Sequence, residues 1–344
     1  MDTATQNTGL QLPPIIFGTS GLGNIYQALS YETKLEIVKQ SITHTTGTLV
    51  FDSAGKYGAG LALEVLGKSL TELGIAPERV MISNKLGWYR TELTTPEPTF
   101  EPGIWKYLNH DAVQKISYGG ILECYHQGNE LLGGYAPQMV SVHDPDEYVD
   151  QAKDESEYKK RYQDILDSYR ALYELKQVGK VKYVGVGAKN WKIIEKISRD
   201  VPLDWVMIAN SMTIKSHPHE LLVFMQQLQE KGVKIINSAI FHGGFLLSGD
   251  YYDYKLIKPD NEEHKAIFQW REDFFNLCEK FRIKPAEAAL QFALHLPGVE
   301  SVALSTTNPA RIAGNIQMAS ATIPGEFWAE MKAKGLIKEY YFYL

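Results

Sequence analysis

The stretch Tyr158-Lys-Lys-Arg-Tyr-Gln-Asp-Ile-Leu-Asp-Ser-Tyr-Arg-Ala-Leu-Tyr-Glu-Leu-Lys-Gln177, closed by Val178-Gly179 and followed by Lys182-Tyr-Val-Gly-Val186, holds the unit from which the chain is built. Tyr162, Ile165, Leu166, Tyr169, Leu172, Tyr173 and Leu175 recur at steps of three and four, which sets them along one stripe of a helix. Gly179 is the residue that helices favour just past their end. The run behind it is short and apolar, as a strand buried on both faces should be.

Working outward, seven more such runs follow the same pattern: Pro14 to Phe17, Thr48 to Phe51, Val80 to Ser83, Met139 to Val142, Trp205 to Ala209, Val233 to Ile236 and Ser301 to Leu304. Helical spacing fills most of the gaps, as in Tyr31 to Thr43 with Leu35, Ile37, Val38 and Ile42, and Gly47 and Gly232 precede the second and seventh runs. Strands that alternate with helices make a parallel sheet covered by those helices. Eight units predict an α/β fold, a closed (β/α)8 TIM barrel, with residues 1–344 as one barrel domain. Two gaps are long: Trp88 to Pro137 after the third strand and Phe241 to Lys284 after the seventh. Both follow a strand's carboxyl end, where such barrels build their sites, so both are expected to wall a substrate pocket. The first sets Pro96, Pro98 and Pro102 among Trp88, Tyr89, Phe100, Trp105 and Tyr107. It reads either as a stiffened aromatic wall with Trp88 against the substrate, or as an apolar plug on the rim.

Hydrophobic residues make up 44% of the 344 and charged residues 22%, enough apolar mass for a large core and too much for a disordered or fibrous chain. The net charge is −6, and no basic cluster exceeds Lys159-Lys160-Arg161, so a nucleic-acid partner is excluded for lack of an electrostatic footprint. Cys124 and Cys278 are too few for a disulfide framework, and Met1 to Leu12 is polar without a leader's pattern. No window approaches the roughly 18 apolar residues of a membrane span. The expectation is a cytoplasmic protein with no membrane partner and no metal.

Polar residues stand where strands end. Asp52 follows Thr48-Leu-Val-Phe51, Lys85 follows Val80-Met-Ile-Ser-Asn84, His143 follows Met139-Val-Ser-Val142, and Tyr57 lies five residues beyond Asp52. In a barrel all four face one mouth. A buried Asp or Lys is costly unless paired, and Asp52 and Lys85 on adjacent strands can pair. The chemistry that suits them is proton transfer to or from a carbonyl or hydroxyl. A phenol is a poor base near neutrality unless a cation stabilises its anion, and Lys85 is expected to supply that cation. His143 is expected to orient the substrate oxygen.

These residues resemble a known family, the aldo-keto reductases. Phe51-Asp-Ser-Ala-Gly-Lys-Tyr-Gly58, Ile82-Ser-Asn-Lys-Leu-Gly87 and Val140-Ser-Val-His143 look like that family's second-, third- and fourth-strand motifs. The resemblance implies a tetrad of Asp52, Tyr57, Lys85 and His143, with Tyr57 the general acid/base. Gly185-Val-Gly-Ala-Lys-Asn190 is similar to the fifth-strand segment whose Asn holds a nicotinamide carboxamide, which implies Asn190, while Asn210 falls at the sixth strand's polar amide-binding position. Val302-Ala-Leu-Ser-Thr-Thr-Asn-Pro-Ala-Arg-Ile-Ala-Gly-Asn315 looks like the adenosine-binding stretch, which implies Ser305, Thr306, Arg311 and Asn315. The family's Lys is Ser305 here and its Glu is Gly314, so the implied cofactor is NAD(P) with NAD favoured.

Leu22-Gly-Asn-Ile-Tyr26, Ile116-Ser-Tyr-Gly-Gly-Ile-Leu-Glu123 and Val142-His-Asp-Pro-Asp146 resemble the family's sugar-oxidising branch. That branch takes an aldose of L-fucose or D-threo-aldose type to its lactone. Asp144, Trp88 and His242 are the expected substrate contacts, His242 because it follows the seventh strand beside Gly243-Gly244. Reduction of small aldehydes or ketones, pyridoxal oxidation, and a non-catalytic dinucleotide-sensing barrel are the competing readings. A metal-dependent hydrolase, drawing on His143, Asp144, Asp146 and His242, lacks a His-x-His pair on the first strand. Gly18-Thr-Ser-Gly-Leu-Gly23 lacks the glycine order of a dinucleotide fingerprint and reads as a strand-end turn.

Overall fold

Eight parallel strands close on themselves in the computed structural model, which describes residues 9–253 and 255–341. They are β1 (Ile15–Gly18), β2 (Leu49–Ala54), β3 (Val80–Leu86), β4 (Met139–His143), β5 (Tyr183–Ala188), β6 (Trp205–Ala209), β7 (Lys234–Ser238) and β8 (Val299–Ser305), each paired with its sequence neighbours and β8 with β1. Outside them lie α1 (Tyr31–Thr43), α2 (Leu61–Glu72), α3 (Tyr118–Leu132), α4 (Glu155–Gln177), α5 (Trp191–Asp200), α6 (His219–Glu230), α7 (Pro285–Leu294) and α8 (Ile312–Met318). The fold is the predicted (β/α)8 barrel. Met1 to Thr8, on which part of the leader argument rests, lies outside the described residues. No helix among the described residues is long and apolar enough to cross a membrane.

The quoted stretch becomes α4 and β5. Asp154 caps the helix by accepting the Glu157 N–H at 2.8 Å, and Tyr162, Ile165, Tyr169, Leu172 and Leu175 are buried, while Leu166 and Tyr173 are only half-buried. Each large apolar side chain so buried contributes about 1.5–3 kcal/mol. The barrel interior is packed by Leu10, Ile16, Val50, Met139, Trp205 and Ile236, with Met207 of the same cluster reaching the cleft. Gly185 makes room for this plug, since a Cβ there would fall 2.3 Å from the Trp205 ring. Only the carboxyl end is left for a site.

Most strands run one to three residues past the apolar runs that announce them. Gly18, Asp52 to Ala54, Lys85, His143 and Gly187 all belong to strands. The polar residues hydrogen-bond as strand while their side chains turn to the mouth. The two long gaps carry additions at that mouth: an antiparallel hairpin (Trp88–Glu92 with His110–Gln114) after β3, and a short hairpin (Tyr251–Tyr252 with Lys255–Leu256) followed by a helix (Lys265–Phe281) after β7.

Candidate active site

The carboxyl ends of the strands open into a cleft of about 1070 Å³. At its floor the Asp52 carboxylate accepts from Lys85 Nζ at 2.5 Å and from Ser83 Oγ at 3.1 Å. Both charged residues are 2% exposed, and pairing is what makes two charges tolerable in so dry a place. Gly187 gives the lysine stem its path, since a Cβ there would sit 3.3 Å from Lys85 Cδ.

Tyr57 is held by a contact of two backbones. Gly58 has φ +62°, and a Cβ on it would come 2.3 Å from the Gly23 carbonyl oxygen; one on Gly23 would meet the Tyr57 carbonyl carbon at 2.8 Å. The loops after β1 and β2 therefore lock together and fix the phenol. Lys85 Nζ lies 4.7 Å from the Tyr57 ring centroid, and the His143 ring stands edge-on to that ring at 5.7 Å. All four expected tetrad residues meet in one mouth.

Burial first, then the Lys85 and Lys56 charges, hold the His143 imidazole well below its ordinary value, so it is neutral. Its Nδ1 is buried with no hydrogen-bond partner among the described residues. The Tyr57 phenol is pushed well above its ordinary value, by burial first and then by Asp52 and Asp144. This reverses the expectation that Lys85 acidifies it. Lys85 shares its charge with Asp52 at 2.5 Å, so in the protein by itself burial and the Asp52 and Asp144 carboxylates outweigh it.

A second cation escaped the sequence reading. Lys56, 2% exposed, pairs with Glu147 at 2.7 Å, Glu101 at 2.8 Å and Asp144 at 3.2 Å. Lys189, just past β5, pairs with Glu147 at 2.5 Å. Asp144 takes φ +46°, and Pro145 starts the short helix Pro145–Val149, which turns the acids back towards the lysines. The available signal was His143-Asp-Pro-Asp-Glu147 itself, three acids at a buried strand end that require cations.

Of the expected substrate contacts, Asp144 lines the cleft and two do not. Trp88 belongs to the hairpin after β3 and packs behind Lys56, 5.3 Å from its Nζ and 5.6 Å from the Phe100 ring. Trp105 stands at the wall in its place, its Nε1 donating to Glu101 at 2.7 Å. Phe100, Trp105 and Leu108 form the rim plug that was the other reading of this loop. His242 is fully buried and has both ring nitrogens engaged, Nε2 with Thr213 Oγ1 at 2.6 Å and Nδ1 with Asp253 at 2.7 Å, and it stacks on Tyr252. A histidine tying two loops together has no nitrogen left for a substrate; its neighbours Phe241, Gly243 and Gly244 line the cleft instead.

The other end of the cleft suits a dinucleotide. Asn210 follows β6 at φ +61°, lines the cleft, and has a buried Oδ1 without a partner among the described residues, ready for an amide donor. Asn190 also lines it, but its Oδ1 caps α5 by accepting the Lys192 N–H at 3.1 Å. Ser305 Oγ accepts from Ser20 Oγ at 2.9 Å and from the Gly21 N–H at 3.3 Å, which ties it to the turn after β1. A Cβ on Gly21 would meet the Thr306 carbonyl oxygen at 2.6 Å, so this floor must be glycine. Thr306 Oγ1 accepts the Asn308 N–H at 3.1 Å. Arg311 is exposed, lines the cleft and has no carboxylate partner among the described residues. Asn315, a turn further along α8, is not part of the cleft wall. An orphan amide oxygen, a bare turn and a free guanidinium fit a carboxamide, a close backbone approach and an anion.

A phenol, a buried Asp–Lys pair and a neutral imidazole at a barrel mouth, beside a groove for a dinucleotide, define an oxidoreductase acting on carbonyls or alcohols. The sequence pattern of the aldo/keto reductase family matches residues 14–335, and the chain belongs to that family, making it an NAD(P)-dependent oxidoreductase. It is 27% identical to the pyridoxal 4-dehydrogenase of Microbacterium luteolum, with 97% of each chain covered. It is 24% identical to the D-threo-aldose 1-dehydrogenase of a Pseudomonas species, with 98% of each covered. Its fold matches the holo form of an aldo-keto reductase from Bacillus halodurans with a TM-score of 0.67 at 18% identity, covering 95% of this chain and 93% of that one.

Proposed function

We propose that this protein, working as one barrel domain over residues 1–344, oxidises an aldose of L-fucose or D-threo-aldose type at C1 to its lactone. The observation that carries the reading is the placement of Lys85 Nζ, 2.5 Å from Asp52 and 4.7 Å from the Tyr57 ring, opposite a neutral His143. The ion-paired wall of Lys56, Asp144 and Glu147 adds the donors and acceptors that a polyhydroxylated molecule needs. When bound, an oxidised nicotinamide dinucleotide supplies the hydride acceptor and a positive charge at that end of the cleft.

Tyr57 takes the anomeric hydroxyl proton in oxidation and returns one in reduction. Its raised phenol keeps the proton in place in the protein by itself, the form that reduction needs. Lys85 stabilises the phenolate from which oxidation starts and which reduction leaves behind, and Asp52 fixes the lysine. His143, neutral, steers the substrate oxygen by a hydrogen bond and brings no competing charge. Asn210 is the carboxamide acceptor and Arg311 the anion contact. The hydroxyl at Ser305 offers no charge to a ribose 2′-phosphate, which favours NAD over NADP. Relatedness to a pyridoxal 4-dehydrogenase supports a second reading, pyridoxal as substrate, since pyridoxal also closes to a cyclic hemiacetal. Absorbance at 340 nm over a panel of aldoses, pyridoxal and small aldehydes, run with each cofactor, tests the assignment. The fastest rate is expected with an aldose and NAD; activity confined to simple aldehydes with NADPH would overturn it.

A further inference from the structure

The acids at the end of β4 are not all matched. Four carboxylates, Glu101, Asp144, Asp146 and Glu147, share this wall with two ammonium groups, Lys56 and Lys189. Among the described residues the ion pairs of the cluster go to Glu101, Asp144 and Glu147, and none goes to Asp146. Asp146 is 4% exposed and lines the cleft. Its Oδ2 accepts the Asn190 N–H at 2.8 Å, while its Oδ1 is buried with no hydrogen-bond partner among the described residues. A carboxylate oxygen left so is costly, and sites that keep such groups keep them for a ligand.

We propose that Asp146 determines specificity: its Oδ1 accepts a substrate hydroxyl away from the reacting carbon, and the surplus of carboxylates around it turns away sugars that carry a phosphate or carboxylate. The inference rests on the aldose reading and deepens it. A hydroxyl satisfies the orphan oxygen and adds no charge. An anionic group would meet Asp144 and Asp146 on the cleft wall, with Lys56 and Lys189 already engaged by Glu101, Asp144 and Glu147. The same crowding shows in the Asp146 carboxyl, pushed up to about 6 by burial first and then by Asp144. The residue is therefore kept at some cost to the fold, as functional groups often are.

The test uses the full chain, its Asp146→Asn variant and, as a second variant that keeps an acceptor for Asn190, Asp146→Ser. Substrates are the aldose that the wild type oxidises fastest, its single-deoxy analogues and its phosphate ester. In the wild type one deoxy position is expected to raise KM by about tenfold, the scale of a charge-assisted hydrogen bond. In Asp146→Asn that penalty shrinks, KM for the parent sugar rises with a smaller change in kcat, the phosphate ester gains relative to the parent, and Tm at pH 7 stays level or rises. Cofactor Kd is expected to hold, which separates a substrate role from a general disturbance. Unchanged KM and unchanged discrimination in both variants would overturn the inference and leave the aldose reading standing. A wild type that oxidises no aldose would end both.

Discussion

The two ends of the cleft are built on opposite electrostatic plans. At the substrate end the cations are buried and matched: Lys85 by Asp52 at 2.5 Å, and Lys56 by three carboxylates within 3.2 Å. At the dinucleotide end Arg311 is exposed and has no carboxylate among the described residues, and its neighbours Ser305 and Thr306 are neutral hydroxyls. The first end is arranged before any ligand arrives, which suits a place where a proton must move between fixed groups. The second leaves a charge for an incoming anion to meet, which suits a place that only has to hold on.

If that contrast is right, cutting the matched end should damage both reaction and fold. Lys85→Met removes the phenol's cation and leaves Asp52 buried alone; kcat is expected to fall about 10²–10⁴-fold. Stability should fall about 3–5 kcal/mol by chemical denaturation, the cost of breaking a buried pair. Cutting the open end should damage neither. Arg311→Ala is expected to raise cofactor Kd about tenfold by titration, with Tm and kcat at saturation unmoved. Ser305→Lys, which adds a cation to that end, is expected to improve NADP affinity several-fold and leave NAD affinity almost as it was; equal constants for both would remove position 305 from cofactor choice. The smallest expected effect is on pH. His143 is held well below its ordinary 6.5 and is already neutral there, so kcat at saturating substrate should show no histidine limb as pH falls through 6.5. A limb that His143→Asn abolishes would contradict its neutrality.

The same contrast explains what the sequence disclosed. The barrel was legible because strands buried on both faces are apolar runs and the helices between them carry stripes. The tetrad was legible because each member stands at or just past a strand end. Lys56 was not, because a lysine in a glycine-rich loop looks like any solvated charge, and its three acids come from two other loops. Trp88 and His242 misled for a related reason. Loop position announces closeness to the mouth but not which way a side chain turns, and both turn into packing that neighbours along the chain do not reveal. The acidity of the phenol misled because residue types name a cation without naming the anion that already holds it.

The central claim is that Tyr57 carries the proton. Tyr57→Phe, which keeps the ring between Lys85, Trp105 and His143 and removes only the hydroxyl, tests it most directly when turnover and cofactor Kd are measured on the same preparation. The account predicts that turnover is lost while cofactor Kd stays near that of the wild type. Turnover that survives the loss of the hydroxyl would contradict it.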